Sequence, residues 1–353
     1  MRYLIPQQRK GRTMMKKRFL AMTLAGAMCA AMLTGCGGGS SAQTSDGGSS
    51  AGSDGGDGKY NISVIVKLTD GHFNKVIAGA KAYADEHDNV SVEIQSPTSA
   101  TSYDEQVNMI ETSLGNPGID AIVLAPLQSD TAATLVSTST KPVIAVDTDF
   151  TSDKKSSFVG TGNESAAKEG GKAAVEEAKK RGADKPTVLI LTGTQGDETH
   201  EARLSGYKAG AEEAGGEVVE VQYCDAAAEK AATAMEAVMQ KYPDGIDVVL
   251  SSNDDMAMSA LKIINDSGNA AYKDTVVCGF DGNQSAIEAV KAGTLGMDIA
   301  QLGYDMGYKA VEAAVAVLEG NSVDSYIDSG AKVVDSANAE DYIADMKSKG
   351  LWE

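Results

Sequence analysis

The chain has 353 residues, and its 31 Lys and Arg against 50 Asp and Glu give a formal net charge of −19. Residues 1–35 hold seven of the basic residues and no acid, so from residue 36 onward 24 basic side chains face 50 acidic ones, a net −26. That balance opposes nonspecific binding to nucleic acid or to anionic lipid, which needs clustered Lys and Arg, and with three His and no HExxH or GxxxxGK[ST] a His-based metal site or a Ser-His-Asp triad is poorly supported.

In chain order, residues 14–36 come first, reading MMKKRFLAMTLAGAMCAAMLTGC. Lys16, Lys17 and Arg18 form a basic start, and residues 19–33 are an uncharged run of 15. A membrane-spanning helix takes about 20 apolar residues, so this pattern is an export signal and no part of the fold. It ends at Leu33-Thr34-Gly35-Cys36, which resembles the bacterial lipobox. That resemblance implies removal of residues 1–35 and lipidation of Cys36, leaving a mature chain of 318 residues. Residues 1–13 carry Arg2, Arg9, Lys10 and Arg12 without an apolar period, and read as an over-extended start ahead of Met14 or Met15. Residues 36–58 then form the lipidated Cys and a Gly/Ser tether. Its 22 residues after Cys36 have a root-mean-square span of roughly 25 Å. The expected location is the cell envelope, lipid-anchored on the outer face of the cytoplasmic membrane or in the periplasm.

From Lys59 onward, short β-branched runs alternate with longer helical patterns. The apolar runs fall at 62–66, 90–94, 121–125, 143–146, 158–159, 188–191, 218–221, 248–250, 276–277 and 297–300. Several are continuously apolar, as expected of strands covered on both faces. Amphipathic stretches with 3.6-residue spacing fall at 73–86, 103–114, 165–181, 201–214, 229–241, 256–264, 286–291 and 306–318. Many close on Gly, as at Gly182, Gly215 and Gly293, which is helix C-cap chemistry. This alternation predicts an α/β protein with parallel sheets and right-handed crossovers. Ten strands are too many for one small sheet and fit no eightfold barrel, so two doubly wound lobes are expected.

In such lobes ligands bind beyond the carboxyl ends of the strands, and there the sequence turns polar. The successive strand ends read Lys67-Leu68-Thr69-Asp70-Gly71-His72-Phe73, Asp147-Thr148-Asp149, Thr192-Gly193-Thr194-Gln195-Gly196-Asp197, Ser251-Ser252-Asn253-Asp254, Asp281-Gly282-Asn283, and Gln301. One polar strand end is ordinary cap chemistry; six carrying carboxylates or carboxamides point to a polar pocket. The remaining cysteines, Cys224 and Cys278, have no CxxC spacing, and two buried thiols are favoured over a disulfide.

Four stretches in order carry a family resemblance: Lys141-Pro142-Val143-Ile144-Ala145-Val146-Asp147, Ser252-Asn253-Asp254-Asp255-Met256-Ala257-Met258, Gly279-Phe280-Asp281-Gly282 and Ile299-Ala300-Gln301-Leu302. Over residues 59–334 the chain resembles the periplasmic sugar-binding proteins of the ribose and galactose type, the capture subunits of ABC importers. The resemblance implies two Rossmann-like lobes joined by a three-segment hinge, the type I periplasmic binding protein fold. The N-terminal lobe would be 60–161 plus 302–329 and the C-terminal lobe 162–301 plus 330–353. Asp147, Asn253, Asp281 and Gln301 match positions that bond sugar hydroxyls in relatives. A carboxylate accepts two hydroxyl protons, and a carboxamide donates and accepts together. Asp70 falls at a polar contact, His72 and Phe73 at a pair of ring-stacking aromatics, and Arg203 in an Arg-x-x-Gly-Tyr stretch with a structural or ligand-contacting role.

The departures concern the ligand. Thr148 stands where ribose-type relatives carry Arg, Glu201 stands at a second Arg position, and an aromatic position falls near Ala226. Phe73, Phe150 and Tyr223 are the remaining stacking or core aromatics. The implied function is a non-enzymatic, monomeric substrate-binding lipoprotein. It would capture a monosaccharide, polyol or similar small polyhydroxy ligand by hinge closure and deliver it to an ABC permease, without cofactor or metal. The alternative is a sensory module of the same fold, presenting sugar to a chemoreceptor or sensor kinase. An enzyme built on Asp254-Asp255 is disfavoured, because acids at a helix start cap it and favour its dipole.

Overall fold

The computed structural model describes residues 59–99 and 101–353. The export signal, Cys36 and the tether lie outside the described residues.

Continuous apolar runs become parallel strands because both faces are covered. The first sheet begins with β1 (Tyr60–Ile65), β2 (Val90–Gln95), β3 (Ala121–Leu124), β4 (Val143–Val146) and β5 (Lys155–Gly160). Helices α1 (Gly71–Glu86), α2 (Tyr103–Gly115) and α3 (Ser129–Val136) link the first four. The chain then crosses to a second sheet of β6 (Thr187–Thr192), β7 (Glu217–Tyr223), β8 (Val248–Ser251), β9 (Val276–Phe280) and β10 (Met297–Gln301). Its helices are α4 (Asn163–Lys180), α5 (Glu198–Glu213), α6 (Ala228–Lys241), α7 (Asp254–Ser267) and α8 (Gln284–Lys291). It returns for α9 (Gly303–Leu318) and β11 (Tyr326–Asp328), and crosses once more for β12 (Ala331–Val334) and α10 (Ala339–Ser348).

The sheets run in the orders β11-β5-β4-β3-β1-β2 and β12-β10-β9-β8-β6-β7. Every pairing is parallel except β12, which lies antiparallel on β10. Each sheet is thus doubly wound, with its order reversing between β1 and β3 and between β6 and β8. These are the switch points outside which ligands bind. The two lobes expected from the sequence are present, with twelve strands and ten α-helices among the described residues rather than ten and eight. The elements without a sequence signal are α3, α10 and the two short hinge strands β11 and β12.

In the first lobe one core lies between the sheet and α1 with α9, where Val64, Val123, Ile144, Val76 and Val311 are fully buried. The other face packs Ile110 of α2 and Val136 of α3 against Ile122 and Leu124. α1 and α9 meet backbone to backbone. A Cβ on Gly79 would sit 1.8 Å from the Tyr304 carbonyl oxygen, and one on Gly307 would sit 1.9 Å from that of Val76. In the second lobe α6, α7, α8 and α10 cover one face and α4 and α5 the other.

Three segments cross between lobes: 161–162, residue 302 and 329–330. They run side by side and are tied by Ser329 N donating to Gly160 O (2.9 Å), Leu302 N to Gly330 O (3.4 Å) and Gly162 N to Asp328 Oδ1 (3.3 Å). Cys224 and Cys278 are both buried and unpaired. No helix among the described residues is long and apolar enough to cross a membrane.

Candidate functional site

The carboxyl ends of both sheets face one another, and between them lies a cleft of about 890 Å³. Its walls come from the loops after β1 (Lys67), β3 (Gln128, Asp130), β4 (Thr148, Asp149, Phe150) and β6 (Asp197, Glu198), with Asn163 from the first crossing. A network of buried polar side chains adjoins this cleft and contains most of the residues singled out from the sequence.

Asp147 directly follows β4 in the left-handed region, φ 64°, and Asp281 directly follows β9 at φ 127°. Only four described non-glycine residues have positive φ, and such strain persists where surrounding structure imposes it, often at functional sites. Here each backbone is held by its neighbouring strand: Asp147 N donates to Val159 O (2.9 Å) and Asp281 N to Ile299 O (3.0 Å). Asp147 Oδ1 lies 2.8 Å from His72 Nε2, Oδ2 accepts from the Thr148 hydroxyl at 2.8 Å, and Lys67 Nζ stands 4.0 Å away. Burial raises the Asp147 pKa, but the hydrogen bond and charge of His72, with Lys67 and Thr148, outweigh it and hold the carboxyl well below the usual range.

In the facing lobe, Asp281 Oδ1 accepts from Gln301 Nε2 at 2.7 Å and lies 3.4 Å from Arg203 Nη1. Arg203 is itself fixed on every side. Nη1 donates to Ser252 O (2.7 Å), Nε to Asn163 Oδ1 (2.8 Å), and its guanidinium stacks 3.8 Å over the Phe280 ring. Burial pushes the Asp281 pKa up, against the opposing pull of Arg203, His72, Gln301 and Lys75. His200, beside this network on α5, is held neutral. Burial and the charges of Arg203 and Lys67 lower its pKa to about 4.

Two of the singled-out side chains are occupied by the fold. Asp70 caps α1, accepting from Phe73 N at 2.7 Å, and Asn253 caps α7, accepting from Met256 N at 2.9 Å. The Asn253 amide also donates to Ala226 O at 3.1 Å. Phe73 packs into the first-lobe core, edge-on to His72 with ring centroids 5.1 Å apart. Glu201 turns to its own loop, accepting from Gly196 N (3.0 Å) and the Tyr223 hydroxyl (3.1 Å). Of the aromatics, Phe150 is a core residue at the cleft wall, and Tyr223 stays exposed. The structure therefore gathers His72, Asp147 and Thr148 from one lobe, and Arg203, Asp281 and Gln301 from the other.

One participant was not singled out from the sequence. Lys75 of α1 is buried, and its Nζ donates to the carbonyls of Asp281 (2.7 Å) and Gly282 (2.9 Å). A signal for it exists: Lys75 falls three residues after His72 and four before Gly79, on the buried stripe of the helix.

A family model for the periplasmic binding protein domain matches residues 62–322. The chain belongs to that family. It is 34% identical over 219 residues to the ribose import binding protein of Bacillus subtilis, covering 61% of this chain and 68% of the relative. With the D-ribose/D-allose-binding protein of Pseudomonas aeruginosa it shares 26% identity over 278 residues, 75% of this chain and 84% of that one. Among solved structures, an ABC transporter solute-binding protein from Actinobacillus succinogenes with bound D-allose superposes with a TM-score of 0.70. It is 25% identical and covers 80% of this chain and 100% of that one. A carbohydrate transporter solute-binding protein from Agrobacterium radiobacter, in complex with D-arabinose, gives 0.70 at 26% identity, covering 84% and 100%. The family is one of transporter substrate-binding proteins, which are not enzymes, and its setting is the periplasm or cell envelope.

Proposed function

We propose that the chain captures a monosaccharide or small polyol between its lobes and presents it to an ABC permease. The observation that carries this reading is the pair of opposed carboxylates, Asp147 and Asp281. Each directly follows a strand in its own lobe, is locked at positive φ, and is surrounded by polar partners. Vicinal hydroxyls of a sugar are donors that two such acceptors take up from opposite sides. A ligand touching both lobes has greater affinity for the closed arrangement and shifts the population toward it. The sugars bound by the relatives fit this chemistry.

Two side chains at the pocket bear on the choice of ligand. Thr148 spends its hydroxyl on Asp147, and Glu201 spends its carboxylate on the Gly196 loop and Tyr223. Neither position supplies a guanidinium, so a hexose or polyol is as well suited as ribose. Attachment through a lipid on Cys36, ahead of the Gly/Ser-rich residues 37–58, would hold a monomer near its permease. A sugar-sensing role beside a chemoreceptor or kinase uses the same site.

A thermal-shift screen of pentoses, hexoses and inositols on the purified chain, followed by calorimetry on each hit, tests the reading. Saturable binding of at least one of them, in one-to-one stoichiometry, is expected. Stabilisation by amino acids or nucleosides with none by any sugar or polyol would remove it.

A further inference from the structure

Lys75 makes the contact that most directly joins the lobes. It is carried by α1, which packs on the first sheet, yet its ammonium lies in the second lobe, on the turn after β9. The helix start follows it across: a Cβ on Gly71 would lie 2.9 Å from Asn283 Oδ1. The turn that it meets is unusual, with Asp281 at φ 127° and Gly282 at φ 69°.

Beneath that turn are two buried acids, Asp254 of α7 at 1% exposure and Asp298 of β10 at 0%. Asp254 Oδ2 accepts from Asn283 N at 2.7 Å, and its carboxyl lies against that of Asp298, which also meets the Gly282 backbone. The two carboxyls converge on β9: a Cβ on Gly279 would sit 2.5 Å from Asp254 Oδ1 and 2.5 Å from Asp298 Oδ2. Two carboxyls this deep do not both ionise, and sharing one proton leaves a single negative charge. Burial, then each other's charge, raises Asp254, and burial raises Asp298. Arg203 already faces Asp281, and Lys75, seated on the turn above the acid pair without a direct ion pair to either acid, is a cation whose charge opposes theirs. Burial lowers its pKa, and Asp281, Asp254, Asp298 and Asp70 all work to keep it charged.

We propose that Lys75 is the closure residue of this protein, an ammonium on one lobe that fastens the Asp281–Gly282 turn of the other and is balanced there by the Asp254–Asp298 pair. Opening the hinge withdraws α1, returns the ammonium to water and leaves the acid pair without that opposing charge. Closing restores both and fixes the strained turn that aims Asp281. Lys75 is therefore a positioning residue for the binding site, and that role rests on the sugar-binding reading. The latch between lobes does not.

The test uses the full chain without ligand, followed by amide hydrogen exchange at peptide resolution. In Lys75→Met, which keeps the length and removes the charge, peptides spanning 70–80 and 278–285 should lose protection together, by about 10-fold or more. Strands β1 and β8 should stay protected. Asp298→Asn should produce the same paired loss, and the double variant should lose little beyond either single one. Lys75→Gln, which keeps donors for the two carbonyls, should fall between Met and wild type, and it covers the case of a Met variant that fails to fold. In the liganded protein, Lys75→Met should raise the sugar dissociation rate about 10-fold with little change in association. Unchanged exchange in both peptides, or loss confined to one lobe, would overturn the latch. Paired loss in a chain that binds no sugar would sustain the latch and remove the sugar reading instead.

Discussion

Asp147→Asn is the most informative single substitution. Asn keeps the shape of the side chain and tolerates the left-handed φ of 64°, where Ala would add strain of its own. It removes the charge that meets His72 Nε2 at 2.8 Å and accepts the Thr148 hydroxyl at 2.8 Å. Hydrogen bonds to charged groups contribute ~1.5–3 kcal/mol, so stability at pH 7 should fall by about that amount. The same substitution should weaken sugar binding by roughly 10- to 100-fold, because it takes away a charged acceptor at the ligand's edge. The pH dependence separates this from general damage. The folded-state pKa of Asp147 is depressed below the unfolded value, which is ~3.9. Its contribution is therefore complete above about pH 5 and is lost as pH falls toward the folded value, with about 1.3 kcal/mol gone by about pH 3. The gap between wild type and variant in urea unfolding should narrow as pH falls below about pH 5. Equal sugar affinity, together with a gap that does not narrow in acid, would refute the assignment of Asp147.

Three further outcomes are expected. Asn253→Ala removes the α7 cap and the bond to Ala226 O, so the thermal midpoint should drop for a loss of about 1 kcal/mol or more. Asn253→Asp should retain the cap and most of the midpoint. Cys224, its pKa pushed up to about 11 by burial and by Asp225, and Cys278, raised by burial, should react with an aryl disulfide only after denaturation, which a thiol titration reads directly. Cys36→Ser should release the protein from membranes in fractionation while leaving sugar affinity unchanged.

Much of the architecture was legible because buried parallel strands write themselves as apolar runs. Runs such as Val143–Val146 and Val248–Ser251 are fully buried along their length. β11 left no such trace: Tyr326 and Asp328 are exposed, and its place is set by pairing with β5 alone. Asp147 and Asp281 stood out as acids directly after apolar runs. Lys75 did not, because a helical lysine is ordinarily solvated and its partner carbonyls lie 206 and 207 residues away in sequence. Asp298 was hidden inside a strand otherwise read as apolar, although an acid between Met297 and Ile299 is itself a mark of a buried charge needing a partner. Asp254 was read as a helix-start acid. It holds that place in the first turn of α7, but it is also buried and bonded to Asn283.

The return of α9 to the first lobe has a consequence for the order in which the protein matures. Met306, Ala310, Val311 and Ala314 belong to the core under β1, β3 and β4, yet they follow every strand of the second sheet except β12. The second core in turn contains Val334, Tyr342 and Met346. Neither lobe holds its full complement of apolar partners until nearly the last residue has arrived. A chain threaded from its N-terminus would thus remain uncommitted for most of its passage, and both halves would consolidate together at the end.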